Sequence, residues 1–480
     1  MKRGAVGLVV GAVLSAMAAL MLIPTALGVT SPTHDWQPFA AAAVITGLLG
    51  LALLLSCRGA SLQIQPRQAF LITVVVWVCG CAACMLPIVL HEDISLTDAF
   101  FESMSGLTTT GATVFTGLDS KTPALLLWRS MLQWVGGLGF TLMAIAVLPL
   151  IGVGGMRLFR SESSDWTDKA LPHTRDVAKT IGLIYLVLSF LCAIAYRIAG
   201  MSTFDAVNHA MTTISTGGFS TSDASIAKFE SPAVDWVAIV FMLSGALPFM
   251  AYYIMLRHGP KSLYQDEQIR AFLWILVAII SISLIVRVNQ GDVSFGLAFT
   301  QVTFNIVSIV TTTGYANADY LSWGSFFVGL FFFLTFIGGC SGSTAGGVKI
   351  FRVQIAFRYL SAQIRRLVHP RGVFVVKLSG RRVDEDIMAA FVAFAFAAGL
   401  TVISVTMALA AMGLDLDTAL SAATTALMNV GPGVGPLIGP SGNFASLPDG
   451  AKWILTFAML LGRLELLTVL VLFSPQYWRA

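Results

Sequence analysis

Apolar runs of roughly 20 residues, each long enough to cross a bilayer as a helix, follow one another from residue 5 to residue 473 with no long soluble stretch between them. Their spacing predicts helices near 5–28, 38–57, 68–90, 124–152, 179–199, 234–256, 270–288, 323–337, 386–412 and 450–473. Between the members of each of the last four pairs lies a shorter stretch of about 12 residues with helical character, too short to span. Each ends in a polar turn of Thr or Asn with Gly, of which IVTTTGYANAD (309–319) is the plainest.

These short stretches are copies of one unit. Aligning LTDAFFESMSGLTTTGATVF (96–115) with TFDAVNHAMTTISTGGFSTS (203–222) sets Asp98 against Asp205, Met104 against Met211 and Gly111 against Gly218. FTQVTFNIVSIVTTTGYANA (299–318) and LDTALSAATTALMNVGPGVG (416–435) complete the set. Internal repetition decides the fold: an all-α integral membrane protein with four pseudo-symmetric units of helix, half-helix, loop and helix around a central pore. Two extra transmembrane helices precede them. The expected divisions are 1–60 for those two helices, then units at 61–155, 156–260, 261–370 and 371–480.

Composition agrees, with 56% of residues hydrophobic and 11% charged, against about 25% charged in a soluble domain. The opening MKRGAVGLVVGAVLSAMAALMLIP has the charges of a signal peptide, but its apolar run exceeds the usual length and another follows at once, so a retained helix is expected. Basic residues cluster at Lys2 and Arg3, Arg58 and Arg67, Arg157 to Lys179, Arg257 to Arg270, Lys349 to Arg382, and Arg479. These clusters alternate with poor loops holding Lys121, Arg197, Lys228, Arg287 and Lys452, which places both termini and every cluster in the cytoplasm. The four loops then face outward. Basic runs such as RRLVHPR suit topology better than nucleic acid, and no nucleic-acid motif accompanies them. Three of the six cysteines form CGCAAC (Cys79, Cys81, Cys84) inside an apolar run without nearby His, which suits small buried hydrophobes better than a metal or redox site.

Irregular backbone at membrane depth is tolerable only where it is buried in protein or lines a water-filled path. Loops meeting on an axis offer carbonyl oxygens to a dehydrated cation, with Thr hydroxyls bracing the array and Gly allowing the backbone angles required. Half-helices ending before the loops add partial negative charge, and Asp93, Asp119, Asp223, Asp319 and Asp449 add more on the outer side. Anions are disfavoured. Small residues for close helix packing are the plain alternative for a single TTTG; a fourfold repetition argues against it.

Two further features lie along the expected path. After the third loop, GGCSGSTAGG breaks the apolar run from Gly338 to Gly347, where a continuous helix is costly because each Gly lowers helix preference by about 1 kcal/mol. An irregular intramembrane loop below the filter is expected there. GSTAGGVK lacks the order of a phosphate-binding loop and GCSGS the spacing of a nucleophile elbow, so no enzyme is read here. Arg463 sits inside FAMLLGRLELLTVLVLF with Glu465 two residues on; a membrane-buried charge faces a cavity or a partner. Either it faces the pore as an electrostatic barrier or it pairs with Glu465, although residues two apart point to different helix faces.

TTTGATV, STGGFST, TTTGYAN and NVGPGVG, together with GGCSGSTAGGVKIFR, resemble the bacterial TrkH-type potassium transporters of the wider Trk, Ktr and HKT superfamily over nearly the whole chain. The resemblance implies that Gly111, Gly218, Gly314 and Gly431 are filter glycines, preceded by Thr109 and Thr110, Thr216 and Gly217, Thr312 and Thr313, and Asn429 and Val430. It implies a gating loop of Gly338, Gly339, Ser341, Gly342, Ser343, Gly346 and Gly347, and makes Arg463 the family arginine of the last helix. It further implies potassium as the transported ion, glycine rather than serine standing at position 111, no organic cofactor, a homodimer in the bacterial inner membrane, and a cytosolic TrkA-type nucleotide-binding regulatory partner. Asn429, Val430 and Pro432 depart from the Thr runs, so the filter is expected to be only pseudo-fourfold. The basic stretches 157–179 and 349–382 are the expected docking surface, unless they serve topology alone. A symporter coupled to protons or sodium is the competing reading, with Arg463, Glu465, Glu102 and Asp98 as its candidate groups. A scaffold or receptor without transport leaves the matched glycine loops unexplained.

Overall fold

Backbone at membrane depth must bond to itself, and the apolar runs accordingly form helices. The computed structural model describes residues 3–60, 66–146, 174–291, 293–378, 381–383 and 385–479. Arg3–Thr30 and Trp36–Ser56 form an N-terminal pair in which Gly11 approaches the Gly50 carbonyl and Gly50 faces Ser15, the close approach that small residues permit. The pair packs on Pro123–Ala146 and on the helix that begins at Pro66.

Four units follow. The first runs Pro66–Cys84 with Leu86–His91, half-helix Leu96–Leu107 and Pro123–Ala146. The second runs Thr174–Ile198, half-helix Thr203–Ile214, then Pro232–Ala246 and Phe249–His258. The third runs Glu267–Asn289, half-helix Phe295–Val310, Ser325–Leu334 and Ile350–Val368. The fourth runs Glu385–Ala411, half-helix Leu416–Met428, then Asp449–Arg463 and Leu466–Leu470. Six helices among the described residues are long and apolar enough to cross a membrane, or eight if each bent pair is one span. The protein is a multi-pass membrane protein.

The molecule's polarity is inverted accordingly. Phe190, Phe396 and Met407 face outward, whereas Glu102, Arg129, His209, Asn305, Lys349 and Arg463 are buried. Buried charges in such a chain mark partners and pathways rather than a solvated face. All six cysteines are free thiols, with Cys81 and Cys84 buried and Cys79 half-buried, consistent with small apolar side chains.

Three stretches differ from the sequence expectation. The helix expected at 234–256 is broken between Pro232–Ala246 and Phe249–His258 by a 94° bend. Pro248 stands at the bend, where a helix cannot keep its ladder without the missing N–H. The helix expected at 450–473 turns by 112° after Arg463, with Glu465 in the left-handed region at φ 59°. Finally, 349–382 is no simple loop: Ile350–Val368 is an amphipathic helix, followed by a short antiparallel pair, Lys377–Leu378 with Arg381–Arg382. The end of the helix expected at 124–152 and the basic stretch 157–173 lie outside the described residues.

Candidate functional site

Three of the four half-helices begin alike, and all four end alike. Ser95, Ser202 and Asp415 each cap the first turn, accepting from the amides of Asp98, Asp205 and Thr418. At the other end Thr109, Thr216, Thr312 and Asn429 all take positive φ, between 51° and 59°. The next residues donate back across the last turn, Thr110 to Ser105 O, Gly217 to Thr212 O, Thr313 to Ser308 O and Val430 to Thr425 O. This is a Schellman ending built four times. Asn is a natural occupant of that left-handed position; a β-branched Thr is a strained one, and such strain gathers at functional sites.

Two residues on, Gly111, Gly218, Gly314 and Gly431 also have positive φ. Their neighbours close a ring. A Cβ on Gly111 would stand within 3 Å of Gly217 O, one on Gly218 within 3 Å of Thr313 O, one on Gly314 within 3 Å of Val430 O, and one on Gly431 within 3 Å of Thr110 O. Each glycine thus abuts the carbonyl before the next unit's glycine, in one sense around the molecule and back to the start. All twelve residues expected to form the filter come together here, and the loops meet as matched walls.

Behind the ring, Tyr315 reaches from the third loop into the second unit, its hydroxyl 2.5 Å from Thr212 Oγ1 and 3.2 Å from Thr213 Oγ1. Gln133 holds the second loop from the first unit, donating to Gly217 O at 2.6 Å and accepting from the Phe219 amide at 2.9 Å. Asn429 donates to Thr110 Oγ1 and to Met459 O, both at 2.9 Å, so the divergent fourth loop uses its amide as a tie.

Beneath the ring lies the irregular segment Gly338–Gly347. Its ends meet through Gly338 N to Val348 O and Val348 N to Phe336 O, making a compact re-entrant loop. Its body is tied to the second, third and fourth units. Gly346 N donates to Thr312 Oγ1 at 2.7 Å, Gly347 N to Met428 O at 2.9 Å, and Thr344 Oγ1 lies 3.2 Å from Thr216 Oγ1. The break at Pro248 frees Gly245 O and Ala246 O, and these accept from the amides of Thr344 and Cys340. Carbonyls that lipid would leave unpaired are therefore paired by the loop. The glycines here serve close approach: a Cβ at Gly338 would meet Gly346, and one at Gly346 would meet Met428 O. Gly342 and Gly347 have positive φ, Gly339 faces Ala246 O, and Ser341 and Ser343 bond Gln268 and Cys340.

Arg463 is 1% exposed and does not pair with Glu465. Its Nη1 donates to Thr344 O at 2.9 Å, its Nη2 lies 3.5 Å from Gly136 O, and its guanidinium stacks 4.1 Å over Phe140. Glu465 instead pairs with Arg352 at 2.6 Å, and buried Lys349 donates to Ala345 O. Arg463 therefore touches the re-entrant loop directly, from a helix that breaks at the next residues.

A model of the TrkH family, described as cation transport proteins, matches residues 36–480. The chain belongs to the TrkH family. It is 47% identical over 466 residues to the Trk system potassium uptake protein TrkI of Halomonas elongata, spanning 96% of this chain and 94% of that one. With the Trk system potassium uptake protein TrkH of Escherichia coli K12 it shares 37% identity over 477 residues, 98% of each chain. The crystal structure of the potassium transporter TrkH from Vibrio parahaemolyticus superposes over the full length of both chains with a TM-score of 0.92 at 35% identity. The TrkH family consists of ion transporters, not enzymes.

Sequence reasoning missed Gln133, Arg129, Tyr315 and Thr344 as parts of this TrkH-family site. A signal for the first two was present, because Arg129 and Gln133 stand four apart within an otherwise apolar helix and so share a face.

Proposed function

We propose that this chain takes up potassium across the cytoplasmic membrane through a gated, cation-selective pore, as the translocating subunit of a Trk-type system. The observation that carries the reading is the closed ring in which each filter glycine abuts the next loop's carbonyl. Four backbone walls of one chain, each with left-handed residues two apart, present oxygens to a cation that sheds its water. The half-helices end at these walls, and their terminal partial charge favours a cation.

The filter comprises Thr109, Thr110 and Gly111, Thr216, Gly217 and Gly218, Thr312, Thr313 and Gly314, and Asn429, Val430 and Gly431. The loop Gly338–Gly347 is the gate and Arg463 its electrostatic barrier. Relatives named as parts of a Trk system support a regulatory partner; in this reading it is a cytosolic TrkA-type subunit, docking on the basic face of Ile350–Val368. The transporter works as a homodimer in the inner membrane with both termini cytoplasmic, and the divisions 61–155, 156–260, 261–370 and 371–480 are its pore units. The acids a symporter would use are engaged: Glu102 with Arg129, Asp98 with Lys452 and Glu465 with Arg352. That favours a pore over coupled transport.

Purified protein in liposomes under opposed potassium and sodium gradients tests this. A reversal potential near the potassium equilibrium value is expected. Flux that appears only with a proton gradient would establish the symporter instead.

A further inference from the structure

The residue nine positions before each filter glycine is Glu102 in the first unit, His209 in the second, Asn305 in the third and Ala422 in the fourth. All four are buried on the half-helix behind their loop. They differ in how firmly they grip the loop's outward limb. Glu102 is held by Arg129 Nε at 2.8 Å, both side chains being almost wholly buried. It accepts from Thr113 Oγ1 at 3.0 Å and from the Val114 amide at 2.9 Å. Arg129 in turn reaches Thr113 Oγ1 and, in the next unit, Ser220 O, both at 3.1 Å, and lies 4.2 Å over Phe219. His209 takes one bond to its loop, Nε2 to Ser220 Oγ at 3.0 Å. Asn305 takes one to Asn317 Oδ1 at 2.7 Å. Ala422 has only a methyl group.

We infer that this position grades the stiffness of the four filter walls, and that the Glu102–Arg129 pair is the specificity-determining brace. The inference rests on the pore reading. A buried carboxylate that accepts from a guanidinium, a hydroxyl and a backbone amide resists displacement far more than a single neutral bond. A wall held in place keeps its carbonyls at the spacing of a large cation, and a wall that yields closes on a smaller one. Glu102 and Arg129 are thus positioning residues, acting on the ion through the first and second loops, and the fourth loop is the compliant wall.

The test reads sodium-to-potassium permeability from reversal potentials of the full-length protein in liposomes. In Glu102→Gln, which keeps the shape and removes the charge, the ratio should rise at least threefold while potassium still passes. Thr113→Val, which removes the hydroxyl shared by both partners, should raise it about twofold. Asp35→Asn weakens another buried contact, with His91 at 3.2 Å, at the turn of the N-terminal helix pair; it should leave the ratio unchanged. Unaltered ratios in both brace variants, an equal rise in Asp35→Asn, or failure of both brace variants to fold would overturn the inference, the last by showing that the pair acts on folding. Wild-type protein that passes no potassium in the same assay would sink the pore reading itself, and so is told apart.

Discussion

The ring and the layer beneath it are built on opposite plans. In the ring, four units contribute equivalent residues, with the same left-handed pair and the same neighbour-to-neighbour approach. In the layer below, one unit contributes a whole loop and the second and fourth receive it, through Gly245, Ala246, Met428 and Arg463. Equivalence suits a task that needs oxygens on all sides of an ion. Asymmetry suits a switch, because a single segment can move without dismantling the four walls.

The comparison breaks most sharply at a glycine of the ring. Gly218→Ala places a methyl against Thr313 O at a positive φ of 80°; overpacking costs about 1–3 kcal/mol and strained backbone a similar amount. Rubidium uptake should fall at least tenfold, and retention of wild-type uptake would show that the ring is not the path. Removing Gly338–Gly347 attacks the other layer. Because Val348 N already bonds Phe336 O beside the ends that the cut leaves, these can be joined, and potassium flux without any partner protein should increase. A folded but silent protein would count against a gate.

Arg463→Ala is the milder form of the same change. Removing a barrier of about 1–1.4 kcal/mol raises flux roughly five- to tenfold, and equal or lower flux at equal protein level would refute the barrier. Smallest is Tyr315→Phe. Losing the hydroxyl shared with Thr212 should cost about 1 kcal/mol, visible as a lower midpoint of thermal unfolding with uptake reduced less than in Gly218→Ala. An effect as large as the glycine change would mean that the ring depends on its surroundings more than on its own backbone.

Much of the ring was legible because repetition is visible in letters: Gly111, Gly218, Gly314 and Gly431 align without gaps. The positive φ of Thr109 was not, since three threonines in a row do not say which one turns left-handed. The layer beneath was legible only as a loss of apolar character at Gly338. That its partners include Gly245 O and Met428 O depends on packing between units, which no local pattern encodes. The bend at Pro248 was written in the sequence; hydropathy alone passes over it, because Leu247 and Phe249 on either side are apolar. The break after Arg463 carries no proline, and the Arg352–Glu465 pair that accompanies it joins residues 113 apart.

Because one chain supplies all four walls, heredity can edit them separately. In an assembly of identical subunits, any substitution in the lining strikes every side at once. Here a change at Asn429 alters one quarter of the circumference and leaves Thr109, Thr216 and Thr312 as they were. In the proposed pore, ion preference can therefore drift in small steps, and the unlike fourth loop is what such a history would leave behind.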